Sequence, residues 1–426
     1  MPNDRSDTPS AQETPTGTGT PRAGALSHLR VLDMSRVLAG PWCGQVLADL
    51  GAEVIKVERP GSGDDTRTWG PPYLRDREGR DTREAAYFLC ANRGKRSLTL
   101  DISKPEGQAV VRRLAADCDV LLENYKAGDL ARYGLSYEDL RVLNPGLVYC
   151  SITGFGQTGP MRSIAGYDFL IQALGGLMSI TGERDEVPGG GPQKVGVAVA
   201  DIMTGMYATV AILAALAHRS RSGEGQYIDM ALLDVQVAML ANINMNYLIG
   251  GRVPRRLGNA HPNIVPYQVF DAADGKLVLA VGNDAQFAKF CAAAGCTLHE
   301  DPRFAKNAGR VRHREILVPQ LAALVRSRPV AEWVAVLEPI GVPVGPINDL
   351  RQVFEHPQVQ SRGLRVELPH PLSGSVPGVA NPIKMSATPP QARTAPPLLG
   401  QHTREVLREH GYRDGEIDEL AARGII

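Results

Sequence analysis

The sequence predicts an α/β protein in which a doubly wound parallel sheet carries a smaller α+β unit. Three observations point there. Between residues 29 and 155, short apolar runs of strand composition alternate with stretches of helical spacing, the pattern of strands crossed over by helices. Between 166 and 251 the helical period takes over. From about 258 to 340 strands and helices mix, and a proline-rich stretch between 368 and 397 leads to a last helical segment.

LRVLDMS (29–35) reads as the first strand, and Arg36 to Gly40 as the loop after it. Pro41 suits the first turn of a helix, and Gly51 its C-terminal cap, because proline has no N–H to lose there and glycine tolerates a left-handed φ. AEVIKVERP (52–60) completes a strand–helix–strand unit. RSLTLDI (96–102), DVLLENY (119–125) and LVYCSITGF (147–155) read as further strands. Ser103 with Glu106 reads as a capping box, and Ser136 as the cap of a short helix. GYDFLIQALGGLM (166–178), Asp201 to His218, and 232–251 read as helices, with turns at 183–194 and 220–225. VPYQVF and KLVLAVG read as strands of the smaller unit, and a capped helix starts at Thr403. The expected organisation is a disordered tail (1–24), a large domain (25–225), a linker helix (226–257), a small α+β domain (258–340) and a return strap (341–426).

Composition excludes several functions. Lys+Arg and Asp+Glu both number 46, so no net field is available to hold nucleic acid or an anionic membrane. The six cysteines show no C-x-x-C spacing, which argues against a zinc site or a disulfide framework. Residues 1–24 lack the apolar core of a signal peptide. The Val195–Ala217 stretch has the length of a membrane span, but Asp201, Gly196 and Gly205 interrupt it, and a buried helix is expected instead. The expected location is the cytoplasm.

The first strand–helix turn offers only Gly40 and Gly44 around Pro41, which is not a dinucleotide fingerprint. Basic residues recur at strand ends: Arg36, Lys56, Arg59, Arg93, Lys95 and Arg96, then Lys126 and Arg132. Such a cluster suits a polyphosphate ligand, while each residue alone reads as well as a solvated rim. Asp201 is a lone carboxylate in an apolar stretch. It reads either as an N-cap or as a nucleophile, and the two are compatible. Asp168 reads as an N-cap, and Tyr167 as a core residue whose hydroxyl needs a partner. No G-x-S-x-G or H-E-x-x-H occurs, so serine-triad and zinc-hydrolase chemistry find no support.

The chain resembles the class III CoA-transferases (CaiB/BaiF type). LDMSRVLAGPWCGQVLADLGAEVIKVERPGSGDDTRTWGPP (32–72), NRGKRSLTLDI (92–102), ENYKAGDLARYGL (123–135), SITGFGQTGP (151–160), GYDFLIQALGGLMSITG (166–182), VADIMTGMYATVAILAAL (199–216), LGNAHPNIVPYQVF (257–270) and PPLLGQHT (396–403) carry the likeness in order. It spans residue 28 to the C-terminus. The resemblance implies a doubly wound, Rossmann-like large domain built from both chain ends, an inserted smaller α+β domain, and two subunits interlocked as a homodimer. It implies Asp201 as the nucleophile, no permanently bound cofactor, no metal, and coenzyme A as the acyl-CoA substrate. By the same matching, Val37, Leu38 and Arg59 meet the nucleotide end of CoA. Leu100 to Ser103 line the site, Asn124, Tyr125, Lys126 and Arg132 hold phosphate and pantetheine, and Tyr167 sits near the thioester.

Related 2-methylacyl-CoA racemases carry histidine where Tyr167 stands. Tyrosine, with a pKa near ~10, is a poor substitute for imidazole at neutral pH, so the transferase reading is preferred. A racemase, or a CoA-binding protein without catalysis, is the alternative. GDDTRTWGPP (63–72), NYLIGG (246–251), IVPYQ (264–268) and GPINDLRQVF (345–354) look like the branch that moves CoA from succinyl-CoA to a dicarboxylic acid such as glutarate. In that reading Gly250, Gly251 and Gly258 are candidate oxyanion donors, and Arg252, Arg255 and Arg256 candidate partners for the acid's far carboxylate.

Overall fold

The computed structural model describes residues 24–426; the tail expected at the N-terminus lies almost wholly outside them. Six strands form the central sheet: β1 (Arg30–Asp33), β2 (Glu53–Glu58), β3 (Lys95–Thr99), β4 (Val120–Glu123), β5 (Val148–Thr153) and β6 (Tyr227–Ala231). Their order across the sheet is β3-β2-β1-β4-β5-β6, and every neighbouring pair is parallel. The order reverses between β1 and β4, and the crevice beyond the carboxyl ends of those two strands is where such sheets take their ligands.

Strand periodicity splits the core into two layers. Leu32, Ile55, Leu98 and Leu121 point into one, packed against Val110, Val111 and Leu114 of helix α2 (Pro105–Asp117). Val31, Val54, Val120 and Val148 point into the other, against Cys43 and Leu47 of α1 (Ala39–Asp49) and Ala208 and Ile212 of α4 (Val199–Ser222). Successive residues face opposite sides of a strand, so each apolar run serves both layers. Val406, Leu407, Ile417 and Ile425 join the first layer, which brings the chain's end back to the sheet. Residues from Val265 to Val342 hold a core of their own around a second sheet. Its strands β7 (Tyr267–Asp271), β8 (Lys276–Ala280) and β9 (Val344–Pro346) are antiparallel in the order β9-β8-β7.

Several local expectations need correction. Residues 227–231, inside the stretch read as a linker helix, are β6 and pair with β5. The helix expected over 232–251 is two, α5 (Leu232–Met239) and α6 (Ala241–Gly250), broken where Ala241 takes φ +42°. The helix expected over 166–178 is α3 (Asp168–Leu174) and a further turn after Gly176, which sits at φ +86°. Ser103 caps nothing: its hydroxyl and N–H both go to Asp101, and α2 begins at Pro105 without a side-chain cap. Short polar stretches with little apolar alternation hid two hairpins, Tyr73–Arg75 with Asp81–Ala85 and Arg365–His370 with Gly374–Val379. Helix α4 is long and apolar enough by length and composition to cross a membrane. Here Asp201, Thr204, Gly205, Ala208, Thr209, Ile212 and Ala215 form one buried face, at the spacing of a half-buried helix.

Two ion pairs lie under the carboxyl end of the sheet. Lys56 Nζ meets Asp64 at 2.9 Å and Lys95 Nζ meets Asp33 at 2.8 Å, with all four side chains fully excluded from solvent. Removing one partner of such a pair leaves a buried charge uncompensated. Lys56→Met should therefore lower the unfolding free energy by about 3–5 kcal/mol, read by urea denaturation. A loss below about 1 kcal/mol would show that the pair is not structural.

Candidate active site

The first turn after β1 is strained. Val37 adopts φ +71°, a region that costs a β-branched residue about 1–3 kcal/mol. Buried Asp64 holds it there. Its carboxylate accepts from Val37 N (3.2 Å), Lys56 Nζ (2.9 Å), Thr66 N (3.0 Å) and Thr66 Oγ1 (2.8 Å). Burial alone would raise the Asp64 pKa; the Lys56 charge and these hydrogen bonds outweigh it and hold the value down at about 2. On the other side of the switch point, Asn124 clamps the same turn. Arg36 N donates to Asn124 Oδ1 (2.8 Å), and Asn124 Nδ2 donates to the Arg36 carbonyl (2.7 Å).

Asp201 is the third residue of α4, whose N-cap is Ala198, so it is not the cap that one reading of the sequence gave it. Asp168 does that work from another helix: its Oδ1 accepts from Ala200 N at 2.9 Å while Gln172 Nε2 donates to its Oδ2 at 2.7 Å. Asp168 thus caps α4 rather than its own helix α3, whose N-cap is Tyr167. The exchange leaves the Asp201 carboxylate free. Burial, and next the neighbouring Asp168 charge, push its pKa up to about 7.

Asp201 lines a cavity of about 260 Å³ together with Val37, Leu38, Asn124, Tyr125, Lys126 and Tyr167. No side chain caps α1, whose first residue, Ala39, also lines this space; a helix start of this kind can receive an anion. Arg36, Asp65, Tyr125 and Asp129 are shared with a second cavity of about 400 Å³, which Arg59, Leu100, Asp101, Ile102, Ser103 and Arg132 also line. Asp201 and the positions expected to contact CoA (Val37, Leu38, Arg59, Leu100, Asn124, Tyr125, Lys126, Arg132 and Tyr167) therefore border two cavities that share lining residues. A larger apolar cavity of about 760 Å³, beside Trp42 and Val376, includes none of them.

The basic cluster divides. Lys56 and Lys95 are spent on buried pairs, Arg93 on Asp49 (2.6 Å), and Arg96 on Glu53, Glu405 and Glu409. These four do not face the cleft as free cations. Lys56 borders it only as a paired charge, and Arg36, Arg59, Lys126 and Arg132 border it too. Gly250, Gly251, Gly258, Arg252 and Arg255 border neither cavity, and Arg256 is held by Asp185 and by the carbonyls of Ser179 and Glu183. Sequence reading missed Asp64 and the Gly154–Gly166 contact, where a Cβ on Gly154 would stand 2.4 Å from the Gly166 Cα. It also missed Glu123, whose carboxylate accepts from Tyr125 N (2.7 Å) and whose burial raises its pKa to about 7. The one available signal was a carboxylate at a strand's carboxyl end.

Comparison with known proteins decides the family. The model of CoA-transferase family III matches residues 26–403. The chain belongs to CoA-transferase family III. It is 54% identical to the succinate–glutarate CoA-transferase of Agrobacterium fabrum, over 90% of this chain and 95% of that one. It is 47% identical to the succinyl-CoA:glutarate CoA-transferase of Mus musculus, over 94% and 90% of the two chains. The crystal structure of a CaiB/BaiF family protein from Brucella suis superposes with a TM-score of 0.79 at 48% identity, covering 91% of this chain and all of that one.

The Asp201 environment sets a pH dependence. The step that needs its carboxylate ionised should rise with pH through about 7 and level off above it. Asp168→Asn keeps an acceptor for Ala200 N but removes the charge, so this limb should move to lower pH. A limb that stays in place would assign the shift to burial alone. Because the folded-state pKa lies above the ordinary 3.8, Asp201 disfavours folding increasingly as pH rises from that value to about 7. Asp201→Asn should then raise stability at pH 8 by roughly 2–4 kcal/mol, and much less at pH 4.

Proposed function

We propose that this chain transfers CoA from succinyl-CoA to a dicarboxylic acid, glutarate first among them. One observation carries the reading: an uncapped, buried carboxylate, Asp201, in a cleft whose far end is lined by Arg59 and Arg132. The names of the relatives support the donor and acceptor. CoA lies with its nucleotide against Arg59, Arg132 and Leu100, its pantetheine along Asn124, Tyr125 and Lys126, and its thioester between Val37, Leu38, Tyr167 and Asp201.

An Asp201 oxygen attacks the thioester carbonyl, the C–S bond breaks, and CoA thiolate leaves a succinyl–aspartyl anhydride. The thiolate attacks the Asp201 carbonyl, releases succinate and forms an aspartyl-CoA thioester. The acceptor carboxylate attacks that thioester, expels thiolate and forms a second anhydride. Thiolate then attacks the acceptor's acyl carbonyl, giving glutaryl-CoA and the free Asp201 carboxylate. Burial sustains this in two ways. It raises the basicity of the nucleophile, and it limits water, which would hydrolyse the anhydride. Among the described residues no histidine lines either cavity, so the proton relay of a racemase has no imidazole here.

Purified protein incubated with succinyl-CoA and glutarate should yield glutaryl-CoA by mass spectrometry. Asp201→Asn should lose on the order of 10³-fold or more in rate, about 4 kcal/mol of barrier. Persistent exchange in that variant would remove Asp201 from the chemistry.

We also propose that two copies interlock. The outer face of α4 exposes Tyr207 and Val210, and α6 has no buried residue and presents Leu248 and Ile249, the latter 81% exposed. Apolar area of that extent on a monomer asks for a cover. Sedimentation equilibrium should give twice the 45.8 kDa chain mass; a monomer at micromolar concentration would refute it.

A further inference from the structure

The charges that line the Asp201 cavity sort into pairs and remainders. Arg36 meets Asp65 at 3.2 Å, and Asp129 meets Arg132 at 2.8 Å. That leaves Asp201, Lys126 and Arg162. Among the described residues the Arg162 side chain has no ion pair and no hydrogen-bond acceptor; only its backbone N–H is engaged, with the Gly159 carbonyl. Lys126 comes from the carboxyl end of β4, on the side of Asn124 and Tyr125. Arg162 comes from the segment between β5 and α3, five residues before Tyr167. It borders the Asp201 cavity and not the one that holds Arg59 and Arg132. The Gly154–Gly166 backbone contact closes the base of its segment, and Ile164, Ala165 and Gly166 of that segment line the same cavity.

We propose that Arg162 is the specificity-determining cation that receives the far carboxylate of the acyl group. This rests on the transferase reading above and names its acid-binding residue. In the steps above the donor and the acceptor acyl groups are each bonded to Asp201 in turn, so both are held in the cavity that Asp201 lines. Succinyl and glutaryl groups both end in a carboxylate. A single unpaired guanidinium on a loop accommodates both chain lengths and can offer two parallel N–H donors to each. A monocarboxylic acid leaves that guanidinium unengaged, and the selectivity follows.

The test compares Arg162→Gln, Arg162→Lys and Lys126→Gln with the parent chain, using succinyl-CoA and butyryl-CoA as donors and glutarate and valerate as acceptors. For Arg162→Gln, kcat/KM with glutarate should fall at least 30-fold while that with valerate changes less than about threefold. The fall should appear in KM for the acid more than in kcat. Arg162→Lys should recover part of the loss. Lys126→Gln should raise KM for both CoA esters alike, with no change in the glutarate-to-valerate ratio. Inhibition by free CoA should be unchanged in Arg162→Gln, which also reports an intact fold. Retention of the glutarate preference in Arg162→Gln, or its loss in Lys126→Gln instead, overturns the assignment. If the parent chain exchanges no dicarboxylate at all, it is the transferase reading that fails, and that result is seen before any variant is compared.

Discussion

The cleft depends on charges it does not display. Asp64 sits beneath the turn that follows β1, neutralised by Lys56 and surrounded by donors from Val37 and Thr66. Without an anion at that point Val37 N would lose its acceptor, and only the Asn124 clamp on Arg36 would hold the turn against relaxation of the left-handed φ. The same lysine donates to the Ser35 carbonyl (2.9 Å), and Lys95 ties Asp33 to the Pro41 carbonyl (2.8 Å). Strand β1, its turn and the start of α1 are thereby fixed from below. The desolvation of four charges opposes this arrangement strongly, and only mutual pairing makes it tolerable. Its return is positional: the residues that border the ligand space hang from a rigid, buried ionic floor.

A second economy concerns two aspartates that look alike in the sequence. Each opens a helix, and each would serve as a cap. The structure gives that duty to Asp168 alone, across helices, through Ala200 N. Asp201, one residue further on, is left with burial and a like charge nearby. Both effects disfavour the ionised form and so raise its basicity. The macrodipole of α4 works the other way and keeps ionisation within reach near neutral pH. A carboxylate capped by backbone N–H groups would be a weaker nucleophile, because its lone pairs would already be engaged.

The strand–helix alternation from 29 to 155 was legible because each strand buries both faces and reads as a continuous apolar run. The sheet order follows from it through the handedness of the crossovers. The cleft residues came from ordered motifs, since their distances in sequence, Val37 to Asp201, say nothing about proximity. What failed had a common cause. Lys56, Lys95, Arg93 and Arg96 look identical to ligand-binding cations until their partners Asp64, Asp33, Asp49 and Glu409 are folded against them. Strand β6 was lost because YIDMA (227–231) is a short edge strand with a carboxylate at its centre, close behind the end of α4 at Ser222. The break at Ala241 carries no glycine or proline, so no local signal marks it.

The placement of Asp201 against the first turn follows from one small residue. Gly205 lies four positions after Asp201, one helical turn along the same face of α4. A Cβ there would stand 2.6 Å from the Ala39 carbonyl and 3.2 Å from the Trp42 side chain. Only glycine lets α4 come down onto α1 at that distance. Once it does, the turn before Gly205 has no choice but to face the turn before Ala39, which is Val37 and Leu38. Asp201 and the strained turn therefore share a cavity because of how two helices pack, and not because a loop reaches across. That explains how an apolar helix of membrane-spanning length can carry a buried carboxylate in its first turn. Its remaining buried face packs into the apolar layer under the sheet.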